Sequence, residues 1–383
     1  MRKTFVLAMI CCLCMASLAG AQGTDFSFRG VRLNGALLGG IPVPTGADVA
    51  FLFPTPGQEL FFALKAGAGF EDRMVLRDAD TGEPRAAPES FDSGYWFYWP
   101  NAQVDVGLVY RPFDLNETAA GIRVELFASM RSRYEANLNS LGVSVFPDMN
   151  GLFGNSVIAG AAVDSVRTDV RRMKSGFSGE ASVEWGPGFA DFVAGTDFFR
   201  TSARARGFLP LFSMGADDMR SLSVYAAGFI AADWATGTNI PLYVLTSFGG
   251  RDLRSGLGDS VRGYRSWGYE TALKSTASAE LRAVGPALFD VPGLRPMAYL
   301  FADGGYYAGL DRASDTYAAG QTWADADGFL FSAGGGAALG VLDFAYLGLR
   351  ALWRIPVSDP LYEKYFGASA SPFSWEISFL LHF

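Results

Sequence analysis

Histidine and cysteine are nearly missing from this chain: one histidine, His382, and three cysteines occur in 383 residues. A single imidazole provides no material for histidine acid–base chemistry or for a multi-histidine metal site. The cysteines, Cys11, Cys12 and Cys14, sit together near the start, so the residues after them offer neither a disulfide nor a thiolate. Charge is scarce as well, at 18% of residues, and its balance is acidic, with a formal net charge of −8. That sign argues against nucleic acid as a partner, because phosphates need a basic footprint. No apolar run after residue 18 reaches the roughly 18 uninterrupted residues of a membrane-spanning helix. Nucleophile elbows, phosphate-binding glycine loops and zinc-protease motifs are absent, so we expect neither enzyme activity nor a cofactor. Asp325-Ala326-Asp327-Gly328 imitates the opening of a calcium loop, but the later ligands are missing, and we expect a solvated turn with no metal.

What is present begins with a leader. Arg2 and Lys3 precede an apolar run from Phe5 to Leu18, and Ala19-Gly20-Ala21 supplies the small residues that a signal peptidase needs. Cleavage after Ala21 leaves 362 residues and takes the formal charge from −8 to −10. Ile10, Cys11 and Leu13 stand before the cysteines where a lipoprotein signal wants a small residue, so we do not expect lipidation. Residues 1–21 are the expected signal peptide, 22–39 a short N-terminal segment, and 40–383 a single folded domain.

Hydrophobic residues make up 50% of the chain, yet they are dispersed through alternating segments. With 14% aromatics and 46 glycines, this composition suits a transmembrane antiparallel β-barrel with an outward apolar band, aromatic girdles and tight turns. Spanning strands of about 9–11 residues would fit roughly 14 to 18 times, most simply 16. Expected strands are 59–70, 103–111, 122–130, 156–166, 177–185, 189–201, 222–232, 242–248, 276–283, 296–306, 329–339, 342–353 and 373–383. Expected loops are 78–93, 131–153 and 202–220. Val104, Val106, Leu108 and Tyr110 share one face, as do Ile122, Val124, Leu126, Ala128 and Met130, with Arg123, Glu125 and Arg131 opposite. Charges interleaved with apolar residues in this way point to a wet lumen.

The last segment alternates most strongly. Phe373, Trp375, Ile377, Phe379, Leu381 and Phe383 share one parity, against Ser374, Glu376, Ser378, Leu380 and His382. A chain ending on such a strand resembles outer-membrane barrels, in which the terminal aromatic residue belongs to the signal read by the assembly machinery. That resemblance implies a place in the bacterial outer membrane, with its lipid and its assembly machinery as partners.

Upstream, Asp303 stands in the middle of the apolar segment Tyr299-Leu300-Phe301-Ala302-Asp303-Gly304-Gly305, where a lipid-facing carboxylate would be costly. It must face the lumen, with Tyr299, Phe301 and Gly305. In the preceding strand Thr276, Ser278, Glu280 and Arg282 fall inward, and Ala277, Ala279 and Leu281 outward. Arg262, in Val261-Arg262-Gly263-Tyr264 of a long connection, could answer one of these carboxylates through two parallel bonds, with Gly263 allowing a tight turn.

These features, taken in order, resemble the BamA and TamA superfamily of outer-membrane proteins, also described as bacterial surface antigens: the arginine-glycine-aromatic loop, Ala279-Glu280-Leu281-Arg282, and Phe301-Ala302-Asp303-Gly304-Gly305. The resemblance covers residues 240–383. It implies a sixteen-stranded barrel whose sixth extracellular loop tucks into the lumen, Arg262 against Asp303, with Tyr264 and Phe301 packing the tip. It also implies a role in inserting or translocating protein, or lipid, at the outer membrane, through a weak seam between the first and last strands. The family's periplasmic polypeptide-transport-associated domains are not found in this sequence, so a separate periplasmic partner or a protein cargo is the expected associate. The alternative is a passive porin or surface-exposed structural barrel in which the loop only narrows the pore.

Overall fold

The computed structural model describes residues 27–38, 41–54, 59–74, 96–114, 121–136, 151–169, 173–215, 219–264, 269, 271–291, 293–308, 328–341, 345–355 and 371–381. The expected leader, the loop at 78–93, Asp325 to Asp327, His382 and Phe383 lie outside these residues.

Fourteen strands follow one another in a single antiparallel sheet, each pairing with its neighbour in sequence. They are β1 (Ser27–Leu38), β2 (Ile41–Pro54), β3 (Leu60–Met74), β4 (Trp96–Asp114), β5 (Arg123–Glu135), β6 (Leu152–Asp164), β7 (Lys174–Gly186), β8 (Asp197–Met214), β9 (Leu222–Asn239), β10 (Leu273–Val284), β11 (Leu294–Ala308), β12 (Gly328–Val341), β13 (Ala345–Arg354) and β14 (Phe373–Leu381). No helix among the described residues is long and apolar enough to cross a membrane.

The two faces of this sheet are inverted relative to a soluble protein. Leu300, Leu349 and Ile230 are 63, 59 and 57% exposed on the outside, while Arg131, Arg200 and Lys274 are 1, 0 and 0% exposed on the inside. Exposed aliphatic and aromatic side chains around a polar, buried interior are what a wall facing lipid requires. The period of two produces this arrangement residue by residue. In β5, Leu126 and Tyr134 face out, while Glu125, Arg131, Arg133 and Glu135 face in. Connections at one end of the wall are short, and at the other end they run to the 33 residues of 240–272.

Several expectations are corrected. The described strands number fourteen against an expected total of about sixteen, and several are far longer than a bilayer crossing needs: β4 has 19 residues, and β8 and β9 have 18 each. The sheet starts before residue 40, since β1 pairs with β2 from Leu38↔Ile41 to Ser27↔Leu52. Residues 202–214, part of the polar and irregular stretch expected as a loop, belong to β8, where Arg204 and Arg206 take alternate positions and turn inward. Phe189 lies in the turn before that strand. Arg131 to Glu135, expected in a loop, complete β5. Residues 242–248 are not a spanning strand. Pro241 caps a short helix, Leu242–Thr246, whose Leu242 and Val244 are fully buried. The run is apolar on all sides with no alternation, which fits a plug better than a wall.

Candidate functional site

The long connection between β9 and β10 folds back into the lumen. Ile240, Leu242, Tyr243 and Leu245 seal its base against Leu152 of β6, Phe198 of β8 and Ala272. A two-residue ladder, Ser247–Phe248 with Arg254–Ser255, turns the chain, and a single helical turn, Leu257–Ser260, leads to Val261. Leu257 and Val261 are fully buried against β11 at Gly305. A Cβ there would lie 2.7 Å from Val261 Cγ2 and 2.9 Å from Leu257 Cδ1, so the missing side chain is what lets the loop close on the wall.

Arg262 meets that wall with every nitrogen it has. Its Nε donates to Asp303 Oδ2 at 2.7 Å and its Nη2 to Asp303 Oδ1 at 2.7 Å, while its backbone N–H reaches Oδ2 at 3.0 Å. Nη2 also donates to Ser278 Oγ at 2.8 Å, and Nη1 lies 2.6 Å from Glu280 Oε1. The guanidinium rests 3.8 Å above the centroid of the Phe301 ring. Burial works against its charge, but Asp303 and Glu280 outweigh that cost and hold its pKa above the ordinary arginine value. Gly263 has φ +91°, and a Cβ there would fall 2.4 Å from Leu352 Cδ1. Its carbonyl accepts from Arg354 Nη1 at 3.1 Å. The Tyr264 hydroxyl donates to the Phe331 carbonyl at 3.1 Å, which adds β12 to the contacts of the tip.

A second clasp, on the opposite wall, was missed by sequence reasoning. Arg251 Nη1 donates to Glu125 Oε2 of β5 at 2.5 Å, and its Nε and backbone N–H go to Glu180 of β7 at 3.1 and 2.8 Å. Arg131 of β5 donates to the carbonyls of Gly250 and Arg251 at 3.1 and 3.0 Å, and it is itself held by Asp105 of β4. Arg204 of β8 donates to the Asp252 carbonyl at 3.0 Å. Lys65 of β3 reaches the Asp252 carboxylate at 2.6 Å. Nearer the base, Asp233 of β9 accepts from the Gly249 N–H at 3.1 Å and pairs with Arg200 and Lys274. The loop therefore crosses the lumen from β3 to β13. The one signal in the sequence was the inward parity of so many arginines and carboxylates, which implied pairing but not with what.

Of the terminal residues singled out, Phe373, Trp375 and Ile377 face outward on β14, and the Trp353 ring packs 4.5 Å from Phe373. Phe379 and Leu381 continue the strand backbone, which pairs with β13.

No protein-family model and no curated protein matches the chain. Solved structures do. CdiB from Escherichia coli aligns with a TM-score of 0.50 at 14% identity, over 88% of this chain and 53% of that one. The chain shares the fold of that protein. BamA from Haemophilus ducreyi lacking POTRA domains 1–3 aligns at 0.47 with 14% identity, over 88 and 62% of the two chains. CdiB from Acinetobacter baumannii aligns at 0.46 with 12% identity, over 88 and 50%. The chain thus spans about half the length of either CdiB. Its lumen loop is the fifth connection at the long-loop end of the described sheet, not the sixth, in step with the smaller strand count, and five strands follow it.

Proposed function

We propose that this chain resides in the bacterial outer membrane and helps insert or translocate protein there, with the 240–272 loop acting as a brace that keeps the lumen shut while the wall deforms. The observation that carries this proposal is the loop's attachment to two opposite sides of the wall, through Arg262 on β10 and β11 and through Arg251 and Asp252 on β3, β5, β7 and β8. A loop built only to narrow a pore needs one anchor. A loop fixed to both halves keeps the lumen filled and the cross-section round when the first and last strands part. On this proposal the chain makes and breaks no covalent bonds. Outer-membrane lipid surrounds it, the assembly machinery installs it by way of the β14 aromatics, and a protein cargo or a periplasmic partner supplies what passes through.

The test uses Arg262→Ala in cells and in planar bilayers. The expected result is impaired assembly or transport by a barrel that still inserts, with small erratic openings that widen when the loop is cut. A large, steady, weakly selective conductance that the substitution leaves unaltered would instead establish a passive pore.

A further inference from the structure

Elsewhere among the described lumen residues many cations are matched to an acid: Arg111 with Glu125, Arg131 with Asp105, Arg133 with Glu135, Arg204 with Glu180, Arg350 with Glu376. At the short-turn end this rule lapses. Lys174 opens β7, Arg206 lies opposite Ser178 on β8, and Arg282 lies opposite Tyr225 near the end of β10. All three occupy inward positions of their strands. Lys174 Nζ stands 5.5 Å from the centroid of the Phe208 ring, which meets Tyr225 edge-on at 6.2 Å, and Arg282 is the cross-strand partner of Tyr225. Among the described residues the charges that act on Lys174 are those of Arg282 and Arg206, and both repel it. Arg206 has Ser178 Oγ as its partner at 2.8 Å, and among the described residues no carboxylate lies within ion-pair distance of Lys174 or Arg206. Glu280, the one acid of the group, is already shared between Arg282 at 2.5 Å and Arg262 at 2.6 Å.

We propose that Lys174, Arg206 and Arg282, around the aromatic floor of Phe208 and Tyr225, form a binding site for a phosphate group at the short-turn mouth of the lumen. Lys174 and Arg206 have no acid among the described residues, and the one charge of Glu280 is divided between Arg282 and Arg262, so the group carries an excess of positive charge that raises the energy of the empty state and that an anion would neutralise. A phosphate, with its several charged oxygens, can accept from two guanidiniums and an ammonium at once. Arg206 is exposed and the other two are half-buried, so a ligand can reach all three. The group could arrive as the headgroup of a phospholipid or as free phosphate.

The experiment follows the thermal transition of the full barrel in neutral detergent, by tryptophan fluorescence, with sodium phosphate against sodium chloride at equal ionic strength. Parallel samples carry short-chain phosphatidylglycerol or phosphatidylcholine in the micelle. Phosphate, phosphatidylglycerol or both should raise the midpoint of the wild type, and apparent affinity should fall at least about tenfold in the Lys174→Gln/Arg206→Gln variant. A rise with free phosphate identifies a soluble ligand, and a rise confined to phosphatidylglycerol over phosphatidylcholine identifies a headgroup. Because Lys174→Gln removes repulsion, that variant without ligand should melt no lower than the wild type, and Lys174→Arg should keep the response. Four results would overturn the proposal: no rise with either probe, an equal rise in the double variant, an acidic peptide that outperforms phosphate, or an unliganded Lys174→Gln that melts markedly lower.

Discussion

Replacing Arg262 by alanine is the most informative single change, because its consequences can be worked out atom by atom. The Asp303 side chain is 0% exposed, and without the Arg262 side chain it would keep only the backbone N–H of residue 262, at 3.0 Å. Glu280 is better placed, since Arg282 still holds it at 2.5 Å. The loss is therefore dominated by a stranded carboxylate. Removing one partner of a buried pair costs about 3–5 kcal/mol, and partial access of water to the lumen argues for the lower part of that range, near 3. Each 1.4 kcal/mol is tenfold, so undocking of the loop tip should become about a hundred times more frequent. Trypsin reports this directly, because cutting after Arg254 requires the loop to leave the lumen, and when reclosing is fast the rate follows the open fraction. A companion variant, Arg262→Met with Asp303→Leu, removes the stranded charge along with its partner and should recover most of the protection. A rise of less than about threefold for Arg262→Ala, or a double variant more labile than the single one, would refute the reasoning.

Arg251→Ala should loosen the loop less than Arg262→Ala, because Arg111 still holds Glu125 and Arg204 still holds Glu180, both at 2.9 Å, and Asp252→Ala should cost about 1 kcal/mol or less, as its carboxylate is 47% exposed; protease protection ranks the three. Gly263→Ala should destabilise the tip by about 1–3 kcal/mol, since φ +91° and the contact with Leu352 both oppose a side chain, and urea unfolding in micelles measures it. Leu300→Arg, at a mid-strand outward position, should cost about 2–4 kcal/mol in reversible folding into vesicles.

The sequence made the wall legible wherever apolar and polar residues alternate strictly. Leu300 and Asp303 took opposite faces because a buried carboxylate and an exposed leucine cannot share one, and parity did the rest. Legibility failed where another pattern hid the period. Arg204 and Arg206 looked like loop charges because an inward arginine and a solvated one have the same letter. The run Leu242-Tyr243-Val244-Leu245 looked like strand because a plug buried on all sides is as apolar as a lipid-facing wall. The Arg251 clasp could not be read at all: its acids lie 71 and 126 residues away, and nothing local in Gly249-Gly250-Arg251-Asp252 distinguishes an anchor from a turn.

The claim on which the account rests is that the loop closes the lumen by gripping both sides of it. Single-channel recording of the wild type beside a variant in which residues 249–264 are replaced by a short glycine-serine linker tests it most directly. The account predicts small, brief openings in the wild type and a large, steady conductance in the variant. A wild type that already conducts steadily at the level of the variant would contradict it.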